Sequence, residues 1–170
     1  MTRQEHFGKI RGTVVSAFDP KGCGRLRVQI SLGGSPVEVW ADACVPYAGD
    51  RNGLYAIPPV GSGVWVEFVQ GDIDQPIWTG CWWKEGELNG ALGTGAQLTS
   101  LPVVMQSTGR HRVVLAGNSG DAVVIETASG EQGPRIVMTE SSIKISCGPT
   151  MSIEISSSEV KINSDGLVVR

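Results

Sequence analysis

Few side chains in this chain have the types and spacing that chemistry requires. His6 and His111 are the only histidines. Neither has a carboxylate or cysteine placed to make a ligand set or an acid/base pair. Asp72 and Asp74 could hold a cation or act as paired acids. They lack further oxygen ligands at calcium-loop spacing, so Gly71–Pro76 reads as a polar turn. Ser141-Ser142 and Ser156-Ser157-Ser158 lie outside any GxSxG context, and Gly90–Gly95 lacks the Lys-Ser/Thr ending of a phosphate loop. Cys23, Cys44, Cys81 and Cys147 form no CxxC or Cys/His cluster, which favours free thiols over zinc or a disulfide framework. No catalytic residue, metal site or cofactor is expected, and the chain reads as a non-enzyme.

Binding chemistry is confined to the first half. Arg25, Arg27 and nearby aromatics could line a groove that stacks bases or sugars. The net charge of −3 and pI of about 5.4 argue against a nucleic-acid partner. Trp82 and Trp83 are adjacent at a strand end and point to opposite faces, which lets one be core while the other meets a partner; simple packing and a contact with a partner protein or subunit stay equally open. Glu67 reads as facing solvent or a neighbouring subunit. The N-terminus, MTRQEHFGKI, has no apolar signal core, and no run is long enough to span a bilayer.

All ten aromatic residues lie before Lys84. That half carries eight basic and eight acidic residues; the remainder carries six and nine and so holds the whole −3. Three segments follow: residues 1–84, a glycine-rich connector at 85–100, and residues 101–170. The first segment reads as five short strands: Lys9–Ser16, Arg25–Ile30, Val37–Ala41, Gly63–Val69 and Pro76–Trp82. In the second, Leu26, Val28 and Ile30 share one face, and Arg25, Arg27 and Gln29 the other. Five strands in so short a span fit a small closed barrel, which removes sheet edges.

The second half changes rhythm. Apolar pairs two residues apart recur at Val113/Leu115, Val123/Ile125, Ile143/Ile145, Ile153/Ile155, Val160/Ile162 and Leu167/Val169. Lys144, Glu154 and Lys161 sit between the members of three pairs, so one face is apolar and the other polar. The intervening stretches are rich in Gly, Ser, Asn and Asp, as in a β-helix or stacked β-prism. One such thin apolar face cannot offset its own ordering entropy. Three copies around an axis could, which predicts an obligate homotrimer with those twelve residues as its shaft core.

The first half resembles the OB-fold domain of the baseplate assembly protein V family of contractile phages. It is also similar to the matching part of the valine-glycine repeat spikes of type VI secretion. The resemblance covers about 70 residues: Gly12 and Val14, Asp19-Pro20, Gly24 to Val28, Trp40-Ala41, Pro46 to Gly49, Pro58-Pro59-Val60-Gly61, Val64 to Phe68, Gly71-Asp72, Asp74, Pro76-Ile77 and Gly80. Asp19, Pro20, Gly24, Pro58, Pro59, Gly61, Gly71, Asp72, Pro76 and Gly80 read as its turn residues.

The resemblance implies three OB barrels on a hub protein and an intertwined trimeric β-helix or β-prism shaft directed at the target membrane. The connector is too short for the muramidase domain some members carry. The C-terminal Val160–Arg170 stretch has no His-x-His pair for a tip ion, which leaves a separate PAAR-repeat cone protein as the implied cap. The expected protein is thus all-β, a central tail-spike component of a phage or tail-like particle. It would assemble in the bacterial cytoplasm, at the centre of a baseplate. Its expected action is to puncture the target envelope. The alternative is an OB-type glycan or single-stranded nucleic-acid binding module with a β-structured oligomerisation tail.

Overall fold

The computed structural model describes residues 5–88, 102–117, 120, 122–164 and 166–169. It divides into two compact units, Met1–Leu88 and Asn89–Arg170. Most of the predicted connector, residues 89–100, lies outside the described residues.

The first unit is a closed barrel of β1 (Ile10–Ser16), β2 (Leu26–Leu32), β3 (Ser35–Ala43), β6 (Gly63–Phe68) and β7 (Pro76–Trp82), ordered β1-β2-β3-β7-β6. A small hairpin, β4 (Ala48–Gly49) with β5 (Asn52–Gly53), lies between β3 and β6. The period-two pattern decides which side chains go inside: Leu26, Val28 and Ile30 are buried, as are Val64 and Val66 on β6. Val14, Ala41, Phe68 and Trp78 complete the core. The barrel is sealed by a short parallel seam, where Asp42 and Ala43 of β3 meet Ile77 and Trp78 of β7. The buried Trp78 indole donates to the Gly24 carbonyl at 3.1 Å, so its polar edge is satisfied while it ties β7 to the start of β2.

Two glycines are required by close approach. A Cβ on Gly12 would lie 2.4 Å from Val28 Cγ1 in the core. One on Gly63 would lie 2.5 Å from the Trp82 ring, which crosses the strand at that point.

The second unit is a single eight-stranded sheet. Its strands are β8 (Val103–Gln106), β9 (Arg112–Leu115), β10 (Val123–Glu126), β11 (Pro134–Met138), β12 (Ser142–Cys147), β13 (Met151–Ser156), β14 (Val160–Ile162) and β15 (Leu167–Val169). They follow one another in sequence order and every pair is antiparallel. Within one chain the described strands form a meander, and the expected β-helix or β-prism is a matter of how copies assemble. The serine clusters explain the tight corners. Thr139 Oγ1 accepts from the Ser141 and Ser142 amides at 3.2 and 2.9 Å. Ser156 Oγ accepts from the Ser158 and Glu159 amides. Asn163 extends the ladder with its side chain, its Oδ1 accepting from the Ser152 amide at 3.1 Å.

Candidate functional site

Directly paired residues of an antiparallel sheet project to the same side, so register alone assigns the faces. One row of partners runs Leu115, Val123, Met138, Ile143, Ile155, Val160. A second runs Met105, Val113, Ile125, Ile136, Ile145, Ile153, Ile162, Leu167. Eleven of the twelve shaft residues expected from sequence fall in these two rows, and Val169 pairs with Val160. The opposite face carries the directly paired Lys144, Glu154 and Lys161.

Burial on this sheet is inverted. Along β13, Met151, Ile153 and Ile155 are exposed while Ser152, Glu154 and Ser156 are partly covered. Exposure of the large apolar side chains runs from 36% at Ile162 to 57% at Met151 across the later strands. A contiguous face of isoleucine, leucine and methionine left in water far exceeds the scattered apolar exposure ordinary for a monomer. Sequence reasoning missed Met105, Ile136, Met138 and Met151 on this face. Val104, Val114, Val124 and Val137 explain part of that omission. They put apolar residues on the other face too, so β8 and β11 read as continuous apolar runs without alternation.

In the barrel, Asp19 is the organising side chain. It accepts from the amides of Lys21 (3.0 Å), Cys23 (2.8 Å) and Arg25 (3.2 Å), and from the Arg25 guanidinium at 2.8 Å. The Arg25 guanidinium, supported by those amides, holds the Asp19 carboxyl well below the usual carboxylate range. Asp19-Pro20 therefore does more than pre-form a turn: it fixes the whole 19–25 loop. Arg25 lies over the Trp40 ring at 5.0 Å, and Arg27 pairs with Glu38. Both arginines that could have gripped a phosphate backbone are thus neutralised within the chain. Among the other singled-out residues, Asp72 caps its own turn by accepting from the Asp74 amide at 3.0 Å and from Gln75 Nε2 at 2.9 Å. His6 packs near the Phe68 ring, the His111 amide donates to Ser107 Oγ, and Glu67 pairs with Lys9 at 3.1 Å.

The two adjacent tryptophans separate as their alternation demands. Trp82 lies beside Trp65, donates its indole N–H to the Val64 carbonyl at 3.2 Å, and is covered by the Arg11 guanidinium at 4.9 Å. Trp83 is 65% exposed. The cation–π cover by Arg11 was not read from the sequence; its signal is that Arg11 falls opposite Trp65 in the β1–β6 register. Among the described residues no group of three His, Cys, Asp or Glu side chains could hold a metal ion, and no helix is long and apolar enough to cross a membrane.

Comparison with known proteins gives two matches in tandem. Residues 10–83 match the type VI secretion system/phage-baseplate injector OB domain, and residues 102–168 match the phage baseplate V C-terminal trimerisation domain. The chain is 39% identical over 62 residues to the actin cross-linking toxin VgrG1 of Vibrio cholerae serotype O1, covering 34% of this chain and 6% of that protein. It is 38% identical over 63 residues to the type VI secretion system spike protein VgrG4b of Pseudomonas aeruginosa, covering 34% of this chain and 8% of that protein. The match therefore spans less than a tenth of the length of these relatives. A closed five-stranded barrel and a sheet with one uncovered apolar face coincide with the two matched domains, and the chain belongs to the phage baseplate V and type VI spike family.

Proposed function

We propose that this chain is the non-enzymatic central spike of a contractile tail or tail-like injection machine, acting as a homotrimer at the centre of the baseplate. The observation that carries the reading is the inverted burial along β13, with Met151, Ile153 and Ile155 exposed and Ser152, Glu154 and Ser156 partly covered, continued by the exposed Ile143 and Ile145 on β12. Three copies turning that face toward a common axis form a three-sided prism with Lys144, Glu154 and Lys161 outward. Eight strands spaced about 4.8 Å apart give such a shaft a length of about 34 Å. The eleven sequence-named residues that fall in the two rows, joined by Met105, Ile136, Met138 and Met151, line its axis.

The mechanism is mechanical. Contraction drives the shaft into the target envelope, and the shaft resists because peeling away one sheet uncovers the apolar faces of the other two. The barrels pass force from a hub protein, with Trp83 as the candidate contact, and a PAAR-repeat cone protein is the candidate cap. The absolute mass of purified protein, by light scattering coupled to gel filtration, tests the reading. A mass of three times 18.0 kDa that persists in partial denaturant is expected. A monomer that retains single-stranded nucleic acid or glycan on filters at low salt would overturn it in favour of a binding module.

A further inference from the structure

Strands β10 and its neighbours carry a buried charge cluster for which the shaft reading has no use. Glu126 has a side chain only 5% exposed, and it lies between two arginines. Arg112 Nε approaches Glu126 Oε1 at 2.5 Å, and Arg135 Nε approaches Oε2 at 3.1 Å. The three residues are direct cross-strand partners on the face opposite the exposed isoleucines.

Their position coincides with a gap in what else fixes the alignment. Three residues separate β11 from β12, β12 from β13, and β13 from β14, and such tight corners set strand register. Seven residues separate β9 from β10, and seven separate β10 from β11. The β10–β11 connection carries turn bonds of its own, the Gly130 and Gln132 amides donating to the Thr127 and Ser129 carbonyls, but a seven-residue β9–β10 connection closes almost as readily in a shifted alignment. The apolar pattern cannot decide the matter either. A one-residue slip of β10 would turn Val123 and Ile125 to the wrong face, but a two-residue slip keeps every apolar residue on its own side. Slipped two residues one way, Glu126 would face Val114 and Val137 and meet neither arginine; slipped the other way it would face Arg110 and Gly133 and keep a single cation, so only the observed alignment gives it two.

We propose that the Arg112–Glu126–Arg135 cluster is the register key of the sheet, selecting one alignment of β10 among those that the apolar rows accept equally. A carboxylate removed from water is tolerated only where both cations meet it, so shifted alignments are excluded by the charge they would strand. The key concerns a single chain and stands or falls independently of trimer formation.

The test is disulfide trapping in the full chain, with the four native thiols replaced by serine. Val114→Cys/Val124→Cys reports the native alignment, because these residues are direct partners. Ala116→Cys/Val124→Cys reports a two-residue slip. With the cluster intact, the native pair should close at least about tenfold faster, since the slipped pair lies outside bridging distance. In the apolar variant Arg112→Leu/Glu126→Leu/Arg135→Met, the sheet should persist by circular dichroism while the two rates converge to within about threefold. The charge-reversed variant Arg112→Glu/Glu126→Arg/Arg135→Glu should restore the native preference. An apolar variant that keeps the native preference overturns the proposal, as does a charge reversal that fails to restore it. Loss of the sheet in the apolar variant also overturns it, because the cluster would then be holding strands together rather than choosing between alignments.

Discussion

Replacing Ile153 by aspartate gives the sharpest test of the apolar axis. Ile153 lies in the longer apolar row between Ile145 and Ile162, and 43% of it is exposed in the single chain. Complete burial of an isoleucine side chain stabilises by about 1.5–3 kcal/mol, so covering the remaining fraction contributes about 1 kcal/mol per copy and about 3 per trimer. The substitution forfeits that term and also brings three carboxylates toward one axis. Each buried ion costs several kcal/mol, which puts the total loss at about 10 kcal/mol or more. Gel filtration with light scattering should give a monomer at neutral pH. A buried aspartate has its pKa raised above the unfolded value of about 3.9. The trimer lost at neutral pH should therefore partly return as pH falls toward that value. The matched control is Glu154→Ala, one residue along and on the opposite face. It removes cross-strand pairing worth about 0.2–1 kcal/mol per copy and should leave the trimer intact. A trimeric Ile153→Asp protein beside a monomeric Glu154→Ala protein would refute the assignment of faces to inside and outside.

The barrel yields three further expectations. Gly63→Ala places a methyl group 2.5 Å from the Trp82 ring, so it should destabilise by about 1–3 kcal/mol, read as a lower urea midpoint with altered tryptophan fluorescence. Asp19→Asn should lower the melting temperature most above about pH 5, where the wild-type carboxylate is fully ionised. Because Arg25 and the loop amides depress its folded pKa, Asp19 contributes stability above its unfolded pKa, and that contribution disappears as pH falls through the folded value. The two melting curves should therefore converge in strong acid, as measured by circular dichroism across pH. Trp83→Ala should change barrel stability by less than about 0.5 kcal/mol, whereas Trp82→Ala, which loses the Val64 hydrogen bond and the Arg11 cover, should cost about 2 kcal/mol or more. A baseplate that assembles normally with Trp83→Ala would remove that residue as the hub contact.

The strands of the barrel were legible because each is buried on one side only. Leu26-Arg27-Val28-Gln29-Ile30 alternates cleanly, and its alternate residues are indeed core. The same rule identified β12 to β15, where Lys144, Glu154 and Lys161 mark the wet face. It failed at β8 and β11, where Val104 and Val137 break the alternation. The β4–β5 hairpin was hidden for a different reason: its strands are two residues long, too short for any period. Contacts made across sequence distance were also invisible. Nothing local announces that Arg11 will lie over Trp65 and Trp82, or that Glu126 will sit between Arg112 and Arg135, until the register is known.

The two units solve the burial problem in opposite ways, and the contrast is what the proposed mechanical role would use. The barrel turns Leu26, Val28, Val64 and Val66 inward and closes on itself, so its stability is complete within one copy. The sheet hides Glu126 and partly covers Ser152 and Ser156 while leaving Ile143, Ile145, Ile153 and Ile155 in water, so in the proposed trimer its stability would depend on other copies. Such dependence is what the proposed shaft would require. Force that peels one strand from a self-contained barrel disrupts only that barrel's core. Force that peels one sheet from a three-sided prism must expose three apolar faces at once, so the resistance grows with each copy that shares the axis. A sheet already satisfied in isolation would have no such coupling to offer.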